Sequence, residues 1–549
     1  MCGIGAIFGQ NITDGEAMIK KSLEAIRHRG YSLYEMKAFD DCVLGANRLE
    51  IVDAPNGRQP QTNEDKTVFV VLNGEIFNHK ELRAELVKKK HRFRTDSDTE
   101  VLAHLWEEYG PKMTKKLDTE MFAFFIYDKR KNSFFAARDP YGVKPLYYAI
   151  DSLGNWHFAS EIKQLVQFNS IEEVKEFPYG HQMLNGELVQ YHNIPRPQER
   201  AQEKTEDVIL NVRRLFDEAV RKRVDTDLPI GVFFSGGIDS AAVLATARKY
   251  HKNVTAVTIG RPDSSDIMIA KRYCDEFEVP LVTFEPPSEE ELAKLAPKFV
   301  RISESFEPKV VVHTAVYYYL SELARKNGFR VVLCGEGADE IFGGYKSFER
   351  VHPQELSNLF YEFAAEISRS QFQRLDRATM SHTIETRVPF FDTEFVDYVL
   401  GIRGELKITA PNGRKVAKWI LREAMRDRLP SYIVEREKIP LNAGAGYRGN
   451  MLVDGFLHKF VKHKMSDEEL GQLKRENASW NLSSNLDAYY FGLYAEYLFT
   501  KATFNKNRIY RFMPRYPIWR RALYFVSEFR LESVKRLLED GITLPLSSS

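Results

Sequence analysis

The second residue of this 549-residue chain is a cysteine, Cys2, and a glycine follows it. Removal of Met1, which a small residue at position two permits, would leave a thiol and a free α-amine on one residue. An α-amine has a pKa of about 7.7–8.0, so at neutral pH part of it can accept the thiol proton. This arrangement is typical of an N-terminal nucleophile, in which one residue supplies both the attacking group and the base. Cys2 alone would more often be an ordinary cysteine, and the surrounding motifs decide between the two interpretations.

Three short segments contain the groups that such a nucleophile needs. Asn73 and Gly74 follow a predicted strand, where a side-chain amide and a backbone N–H can form an oxyanion hole, although Asn-Gly is also a common turn. Arg48 can pair with a carboxylate. Asp98 can pair with an ammonium group, although a role as a helix N-cap would also explain it. Together these residues would hold both ends of an α-amino acid while a thiol attacks its side chain.

Two glycine-rich segments follow predicted strands in the second half of the chain. Residues 235–240 (SGGIDS) lie between a strand and a helix, where backbone N–H groups and the helix N-terminus favour phosphate. They lack the GxxxxGK[ST] pattern, so they do not predict cleavage between the β- and γ-phosphates. Asp239 is suited to Mg²⁺, which prefers one or two carboxylates plus phosphate oxygens. Residues 334–340 (CGEGADE) also leave a strand, and their acidic side chains predict a second Mg²⁺ site at the same sheet edge.

The elements that must position these residues divide the chain into two parts. Short apolar strands at 3–9, 67–72, 122–127 and 133–137, with helices at 16–26 and 98–109, predict an α+β domain of two sheets sandwiched between helices. From residue 208 strands and helices alternate, which predicts an α/β domain with a doubly wound parallel sheet and a mostly helical part beyond about residue 350. The expected divisions are a first domain at 2–192, a polar linker at 193–207, a second domain at 208–500 and a basic, aromatic tail at 501–549.

Composition excludes several classes of function. Lysine and arginine total 78 residues and aspartate and glutamate 77, and a formal net charge of +1 gives no support to a nucleic-acid partner. The four cysteines are widely spaced, which excludes a disulfide scaffold and a cysteine-rich metal site and is typical of a reducing compartment. No apolar run reaches the roughly 18–20 residues of a membrane span, and no secretion signal begins the chain. We therefore expect a cytoplasmic protein of several domains without a transmembrane segment.

The first part of the chain resembles the class II glutamine amidotransferase domain, which is an N-terminal nucleophile hydrolase. The resemblance rests on residues 1–4, 27–30, 48–52, 73–75 and 97–98, and on the later segments 138–147 and 159–161. It implies that Cys2 attacks the side-chain amide of glutamine, giving a γ-glutamyl thioester and ammonia. The residues that it implies for glutamine binding are Arg48, Leu49, Glu50, Ile51, Val52, Asn73, Gly74, Glu75 and Asp98.

The second part resembles the ATP-pyrophosphatase domain of the asparagine synthetase family. Besides residues 235–240 and 334–340, the resemblance includes 385–390 (ETRVPF) and 418–422 (KWILR). It implies that ATP is split to AMP and pyrophosphate, with Asp339 on Mg²⁺ and Glu336 near an acyl-adenylate. It places Lys418 where it offsets phosphate charge, although a lysine on a helix face is usually just solvated. The residues predicted to bind ATP are Phe233, Ser235, Gly236, Gly237, Asp239, Ser240, Ile259, Cys334 and Gly335.

The resemblance implies an enzyme that adenylates a carboxylate and amidates it with ammonia from glutamine. Its small-molecule partners would be glutamine, ATP and an acceptor acid, for which aspartate, giving asparagine, is the first expectation. Two sites on one chain lead to the hypothesis of an internal ammonia tunnel. The sequence is also compatible with a homodimer. The tail at 501–549 is expected to be a helical packing or dimer surface, and an anionic partner is the alternative.

Two departures from the family pattern leave the acceptor open. Asparagine-forming members commonly carry an arginine in the segment that corresponds to 308–314, and an acidic residue before the Gly-x-Gly at 444–446. Here residues 309–313 read KVVVH, and Ala443 precedes Gly444. Three alternatives therefore remain: the same chemistry on another acid (a specialised metabolite, a peptide or a sugar acid), an adenylating cyclase, and a binding protein without catalysis.

Overall fold

A computed structural model describes residues 2–31, 35–200, 202–410, 412–439, 444, 456–477, 482 and 484–499. The predicted tail at 501–549, together with Ala443 and Gly446 of the predicted acceptor segment, lies outside the described residues. Within those ranges, no helix is both long enough and apolar enough to cross a membrane.

The amino-terminal domain contains two six-stranded antiparallel sheets that pack face to face. Their inner faces bury alternate apolar side chains, among them Ile4, Val71 and Phe125. The first sheet has the order β10-β8-β9-β1-β3-β2 and the second β12-β11-β7-β6-β5-β4. The strands are β1 (Gly3–Phe8), β2 (Glu35–Ala38), β3 (Cys42–Asn47), β4 (Gln61–Thr62), β5 (Val68–Gly74), β6 (Phe122–Asp128), β7 (Ser133–Arg138), β8 (Tyr147–Asp151), β9 (Trp156–Ala159), β10 (Ile171–Glu176), β11 (His181–Leu184) and β12 (Glu187–Gln190).

Helices cover the outer faces of this sandwich. Residues of α3 and β5 share one apolar cluster, and residues of α1, β1 and β3 share another. The helices are α1 (Gly15–Ala25), α2 (His79–Lys88), α3 (Asp98–Tyr109) and α4 (Ile162–Leu165). The predicted architecture of two sheets between helices is therefore confirmed, with strand and helix bounds that differ from the predicted ones by a few residues.

The carboxy-terminal domain is built on a five-stranded parallel sheet, as predicted. Its order is β15-β14-β13-β16-β17, so the chain reverses its direction of winding between β13 and β16. In parallel sheets this switch point is where ligands bind, beyond the carboxyl ends of the strands. The strands are β13 (Ile230–Phe233), β14 (Val254–Ile259), β15 (Leu281–Phe284), β16 (Val331–Leu333) and β17 (Glu385–Arg387).

Helices make up most of the remaining carboxy-terminal domain. The α-helices are α5 (Thr205–Arg223), α6 (Ile238–Tyr250), α7 (Ser265–Glu276), α8 (Glu289–Lys294), α9 (Ala296–Ser303), α10 (Pro308–Lys326), α11 (Ala338–Phe342), α12 (Pro353–Ile367), α13 (Gln373–Met380), α14 (Thr393–Leu400), α15 (Gly404–Ile408), α16 (Trp419–Met425), α17 (Ser431–Val434), α18 (Phe456–Lys464), α19 (Asp467–Glu476) and α20 (Asn485–Phe499). Short 3-10 helices lie at Arg27–Arg29, Gly110–Lys116, Lys346–Arg350 and Pro389–Phe391, and a π-helical turn at Ser368–Phe372.

Sequence reasoning missed β15 and β17. Strand β17 has only three residues, too few to show an alternating pattern, and it forms because β16 supplies its hydrogen-bonding partner. Helix α5 begins at Thr205, inside the segment predicted as a linker. Earlier in that segment, the Arg200 backbone N–H donates to the carbonyl of Gly401 in the carboxy-terminal domain at 2.9 Å.

Candidate active sites

The two sheets of the amino-terminal domain bring Cys2 and Asn73 together. Cys2 precedes β1 in one sheet and Asn73 lies near the end of β5 in the other, and the Cys2 backbone N–H donates to Asn73 Oδ1 at 3.3 Å. The other side-chain atom of Asn73, Nδ2, is a buried donor without a hydrogen-bond partner among the described residues. A donor in this state is what an oxyanion hole requires, because its partner forms only during the reaction.

A small cavity, here called the Cys2 cavity, opens beside the thiol. Among the residues predicted to bind glutamine, those that line it are Arg48, Leu49, Ile51, Val52, Gly74, Glu75 and Asp98. Glu50 does not line it, and its carbonyl oxygen instead accepts a hydrogen bond from Arg330 Nη1 of the second domain at 2.9 Å. The structure thus brings nearly all of the predicted set to one place.

Besides lining the cavity, Arg48 also holds the neighbouring 52–54 loop in place. Its guanidinium donates to the carbonyl oxygens of Val52, Asp53 and Ala54, each at 2.8 Å. These bonds hold the 52–54 loop in the wall of the cavity. An arginine has five N–H donors, so the same side chain can shape the loop and still present a donor to a ligand.

Asp98 is not the N-cap of its helix, contrary to the simpler interpretation of the sequence. Ser97 is the N-cap of α3, and its hydroxyl accepts from the backbone N–H of Thr99. Asp98 is the first helical residue, it is buried, and its Oδ2 accepts from the backbone N–H of Ile76 at 3.0 Å. Burial raises the pKa of this carboxyl. This buried carboxyl has no salt-bridge partner among the described residues, so it is well placed to meet an ammonium group of a ligand.

Three residues near the thiol were not predicted from the sequence. Gln59 Nε2 lies 3.5 Å from Cys2 Sγ, and Gln59 Oε1 accepts from the Leu72 N–H at 2.7 Å. Arg29 Nε donates to the Cys2 carbonyl at 3.0 Å. Glu385 lines the cavity from the second domain. Arg29 and Glu385 lie within segments that carried the family resemblance, which was the available signal, whereas nothing in the local sequence marked Gln59.

Burial raises the pKa of the Cys2 thiol, so the thiolate is not the resting state. The positive N-terminus, the Leu49 backbone and Arg48 act in the opposite direction. A thiol of this kind needs a base at the moment of attack, and the α-amine of the same residue is the nearest one after loss of Met1.

A larger cavity of about 220 Å³, here called the sheet-edge cavity, lies at the carboxyl ends of β13 and β16. This is the switch point of the parallel sheet. The residues predicted for ATP and its reaction that line it are Phe233, Ser235, Asp239, Ser240, Ile259, Cys334, Gly335, Glu336 and Asp339. Gly237 lines an adjoining cavity together with Lys418.

The loop at 235–237 needs glycine at one position for steric reasons. Gly236 has φ +68°, a backbone conformation that other residues rarely adopt, and a Cβ there would lie 2.6 Å from Ile269 Cγ2. The hydroxyl of Ser240 accepts from the Ser235 N–H at 3.2 Å, which closes the loop onto the start of α6. The Gly237 N–H donates to the Ser235 hydroxyl at 3.4 Å, so the loop packs compactly against the N-terminus of α6, a position that favours phosphate.

Lys418 is not a solvated lysine on a helix face. It precedes α16 with φ +59° and is 1% exposed. Its Nζ lies 2.5 Å from Asp239 Oδ2 and also contacts Asp339, whose other oxygen is 2.7 Å from Lys438 Nζ. Although burial acts to raise it, the two lysines hold the pKa of Asp339 well below its usual range. Lys438 was not predicted, and it adds a second cation to this acidic pair.

Cationic side chains also line the sheet-edge cavity, near the 308–314 segment, which lacks the arginine that asparagine-forming members commonly carry there. Lys309, His313 and Tyr317 lie on successive turns of α10 and line the cavity, and Arg374 of α13 faces them. Arg374 Nη2 lies 3.3 Å from Glu336 Oε1, which also accepts from the Tyr317 hydroxyl. An arginine is therefore present, but α13 supplies it. Burial, with Arg374 and Lys309 nearby, lowers the pKa of His313 well below its usual value, so its imidazole is neutral.

Comparisons with known proteins agree with this arrangement of two sites. A family model described as a glutamine amidotransferase domain matches residues 1–200, and one described as asparagine synthase matches residues 211–359 and 351–485. The chain is 35% identical over 532 residues to asparagine synthetase [glutamine-hydrolyzing] 2 of Arabidopsis thaliana, a match that covers 91% of this chain and 88% of the relative. It is 34% identical over 526 residues to the asparagine synthetase [glutamine-hydrolyzing] of Zea mays, covering 91% and 86%.

Among solved structures, the glutamine phosphoribosylpyrophosphate amidotransferase of B. subtilis matches 61% of this chain and 81% of its own, at 16% identity and a TM-score of 0.30. That value is too low to support an inference. The matches along both domains of the chain are decisive, and they show that it belongs to the glutamine-hydrolysing asparagine synthetase family.

Proposed function

We propose that this protein converts aspartate to asparagine, using glutamine as the nitrogen donor and ATP as the activating substrate. The observation that carries the proposal is the presence, in one chain of this family, of a buried thiol beside an oxyanion-hole donor and a separate phosphate-type cavity at the switch point of a parallel sheet. Each cavity matches one half of the reaction.

In the first half-reaction Cys2 attacks the side-chain amide carbon of glutamine. The α-amine takes the thiol proton and returns it to the departing ammonia. Asn73 Nδ2 and the Gly74 N–H stabilise the oxyanion of the tetrahedral intermediate, and Asp98 pairs with the ammonium group of the substrate. Water then hydrolyses the γ-glutamyl thioester and releases glutamate.

In the second half-reaction the acceptor carboxylate attacks the α-phosphorus of ATP. Pyrophosphate leaves, and ammonia displaces AMP from the acyl-adenylate to form the amide. Adenylation is needed because a free carboxylate is a poor acyl donor. The 235–240 loop binds the departing pyrophosphate with its backbone N–H groups, and Lys418 offsets the charge that develops there.

The acidic pair at the sheet edge fits Mg²⁺. Asp239 Oδ1 is buried and lacks a hydrogen-bond partner among the described residues, and Asp339 reaches the same cavity. One or two carboxylates with phosphate oxygens are the ligands that Mg²⁺ prefers. Asp239 and Asp339 would hold the ion, which would neutralise phosphate charge when bound.

The wall opposite the loop would bind the acceptor acid. Lys309 and Arg374 bring two cations to it, and a carboxylate of the acceptor would otherwise be costly to bury. This placement supports aspartate, because Arg374 of α13 supplies the arginine that is missing from 308–314. Another acid with the same carboxylate remains the alternative, and the experiment below distinguishes the two.

Strand β17 connects the two cavities over a short distance. Glu385, at its start, lines the Cys2 cavity, and the carbonyl of Arg387, at its end, accepts from the N–H of Cys334 in the wall of the sheet-edge cavity (3.1 Å). This proximity supports internal transfer of ammonia along β16 and β17.

The four cysteines are free and buried, which fits a reducing compartment such as the cytoplasm. A homodimer stays a prediction from the sequence, which sedimentation would test.

The deciding experiment measures pyrophosphate release with MgATP and glutamine, with and without aspartate, while mass spectrometry follows asparagine. We expect aspartate-dependent pyrophosphate and an equal amount of asparagine. Glutamine hydrolysis without aspartate-dependent pyrophosphate would indicate a different acceptor acid. Absence of both glutamate and pyrophosphate would contradict an enzymatic role.

A further inference from the structure

The amino-terminal domain contains a second cluster of chemically active side chains, distant from the mechanism described above. Glu64 lies in the turn between β4 and β5, His91 follows α2, and His104 and Glu107 lie one turn apart on α3. None of the four lines the Cys2 cavity or the sheet-edge cavity. One ligand atom from each residue lies within 4.8 Å of all the others.

The spacing of these atoms is that of a tetrahedral metal shell. The Nδ1 atoms of His91 and His104 are 3.2 Å apart. His104 Nδ1 lies 3.0 Å from Glu64 Oε2 and 3.7 Å from Glu107 Oε2. His91 Nδ1 lies 3.5 Å from Glu64 Oε1 and 3.9 Å from Glu107 Oε2. Zinc–ligand bonds of about 2.0–2.2 Å in a tetrahedron place neighbouring ligand atoms about 3.3–3.6 Å apart, within the range seen here.

The carboxylates direct one oxygen each into this space. Glu64 Oε1 accepts from the Arg92 N–H at 3.4 Å, and Glu107 Oε1 accepts from Arg130 Nη2 at 3.1 Å. The remaining oxygens, Glu64 Oε2 and Glu107 Oε2, are buried and have no hydrogen-bond partner in the described part of the chain. A buried carboxylate oxygen without a donor is costly, and a bound cation would remove that cost.

The outer nitrogens of both histidines face carboxylates. His91 Nε2 lies 3.1 Å from Glu108 Oε1, within hydrogen-bond distance, whereas His104 Nε2 lies 3.6 Å from Glu100 Oε1 and has no hydrogen-bond partner among the described residues. Metal-binding histidines usually donate their other ring N–H to such an oxygen, which directs the free lone pair at the metal. With Nε2 protonated in both rings, two Nδ1 lone pairs would face each other at 3.2 Å and repel unless a cation lay between them.

We propose that Glu64, His91, His104 and Glu107 form a structural site for a divalent transition-metal ion, with Zn²⁺ as the best match. Two imidazole nitrogens and two carboxylate oxygens are a set that zinc accepts in tetrahedral geometry. All four positions are filled by the protein, which is typical of a structural rather than a catalytic site. Mg²⁺ and Ca²⁺ would require more oxygen ligands.

The site would join three segments of the amino-terminal domain. It links the β4–β5 turn, the segment after α2 and the middle of α3. Glu100, behind His104, accepts from the N–H groups of Arg94 and Thr95, both at 2.8 Å, and so holds the segment that leads into α3. The ion would therefore stabilise the helix whose first turn lines the Cys2 cavity.

A proton is the competing occupant. Although burial acts to lower it, Glu100, Glu107 and Glu64 together raise the pKa of His104 to about 9. A protonated His104 could pair with these carboxylates without any metal. An experiment must therefore detect the ion itself as well as the stability of the cluster.

The test uses the full-length protein, stripped with a chelator and dialysed against limiting Zn²⁺ or against Mg²⁺. We expect one retained zinc per chain by elemental analysis, a higher midpoint of thermal unfolding with zinc than with magnesium, and X-ray absorption showing four nitrogen or oxygen neighbours at about 2.0 Å. His91→Gln should lose the retained zinc. Glu108→Gln, which removes only an outer carboxylate, should weaken zinc binding about 10- to 100-fold.

Glu81→Gln serves as the matched control, because Glu81 is an exposed glutamate on the neighbouring helix α2. It should retain zinc as the unmodified chain does. Retention of zinc by His91→Gln, or retention of none by the unmodified chain, would overturn the proposal in favour of the proton. The absorption measurement needs no variant, so it decides the question even if His91→Gln fails to fold.

Discussion

Arg29 of the amino-terminal domain and Asp376 of the carboxy-terminal domain form a buried, two-pronged ion pair, with N–O distances of 2.8 and 3.1 Å. The same arginine donates through Nε to the carbonyl of Cys2 at 3.0 Å. Its side chain is fully buried, so the pair is not screened by solvent. One guanidinium thus contacts both the other domain and the backbone of the nucleophile.

Asp376→Ala should therefore affect both stability and glutamine hydrolysis. Removing one partner leaves Arg29 buried with Glu161 as its remaining counter-charge, and breaking a buried pair in this way costs about 3 kcal/mol or more. Urea unfolding and glutaminase assays measure the two effects. Glu24→Ala removes an exposed pair with Arg27 and should change neither. Unchanged stability in Asp376→Ala would refute the structural role of the pair.

Cys2→Ala should abolish glutamine-dependent synthesis and preserve synthesis from ammonium salts. The change removes the nucleophile and leaves the sheet-edge cavity intact. Initial rates of pyrophosphate release with each nitrogen donor give the comparison. An equal loss with both donors would show that the two sites are not separable.

Gly344→Ala should impair the ATP-dependent half-reaction and spare glutamine hydrolysis, the reverse of Cys2→Ala. A Cβ at this position would lie 1.7 Å from Asp339 Oδ1 and 2.4 Å from Lys418 Cε, so the carboxylate or the lysine must move. A displacement of about 1 Å in such a group costs on the order of 100-fold in rate. We expect that loss in pyrophosphate release, with glutaminase activity retained. Gly492→Ala is the control for adding a methyl group, because its backbone is not left-handed and the nearest atom, Leu473 Cδ2, lies 3.8 Å from the added Cβ.

Arg374→Gln and Lys309→Gln should weaken binding of the acceptor acid. Loss of a charge-assisted hydrogen bond of about 1.5–3 kcal/mol corresponds to roughly a 10- to 100-fold rise in the KM for aspartate. The KM for glutamine should stay unchanged, because neither residue lines the Cys2 cavity. If the KM for ATP rises and that for aspartate does not, the acceptor binds elsewhere.

Lys407→Met should stabilise the protein at neutral pH. Lys407 is fully buried, its Nζ lies 4.2 Å from the centre of the Phe360 ring, and burial lowers its pKa to about 7. The unfolded chain keeps its proton up to about pH 10.5, so the folded state binds fewer protons between pH 7 and 10.5. Lys407 therefore disfavours folding most below pH 7, and its effect shrinks as the pH rises.

Urea unfolding of both proteins at pH 7 and pH 9 measures this effect. The variant should be more stable at pH 7, and its advantage should narrow by about 2 kcal/mol at pH 9. Lys294→Met, at an exposed lysine, should change stability little at either pH. An advantage that does not depend on pH would mean that folded Lys407 keeps its proton up to pH 9, so that burial does not lower its pKa.

The sequence by itself determined the chemistry of both sites and their order along the chain. The Asn73-Gly74 pair and the glycine-rich loop after β13 were predictable because each is a short local pattern beside a strand, and Cys2 was predictable from its place after Met1 together with those motifs. The structure puts Asn73 and Gly74 within β5 rather than after it. The fold class was predictable for the same reason, since periodicity reports which face of an element is buried. The family resemblance gave the remaining predictions, including the roles of Glu336 and Lys418.

Only the tertiary structure decided which distant residues complete these sites. Glu385 enters the Cys2 cavity because β17 pairs with β16. Arg374 brings an arginine to the sheet-edge cavity, which the 308–314 segment does not, because α13 packs against α10. Gln59 also reaches the thiol only through the packing of elements that are distant in sequence. A residue's local pattern encodes its own element, whereas such contacts depend on how elements far apart in sequence pack, and no local spacing contains that information.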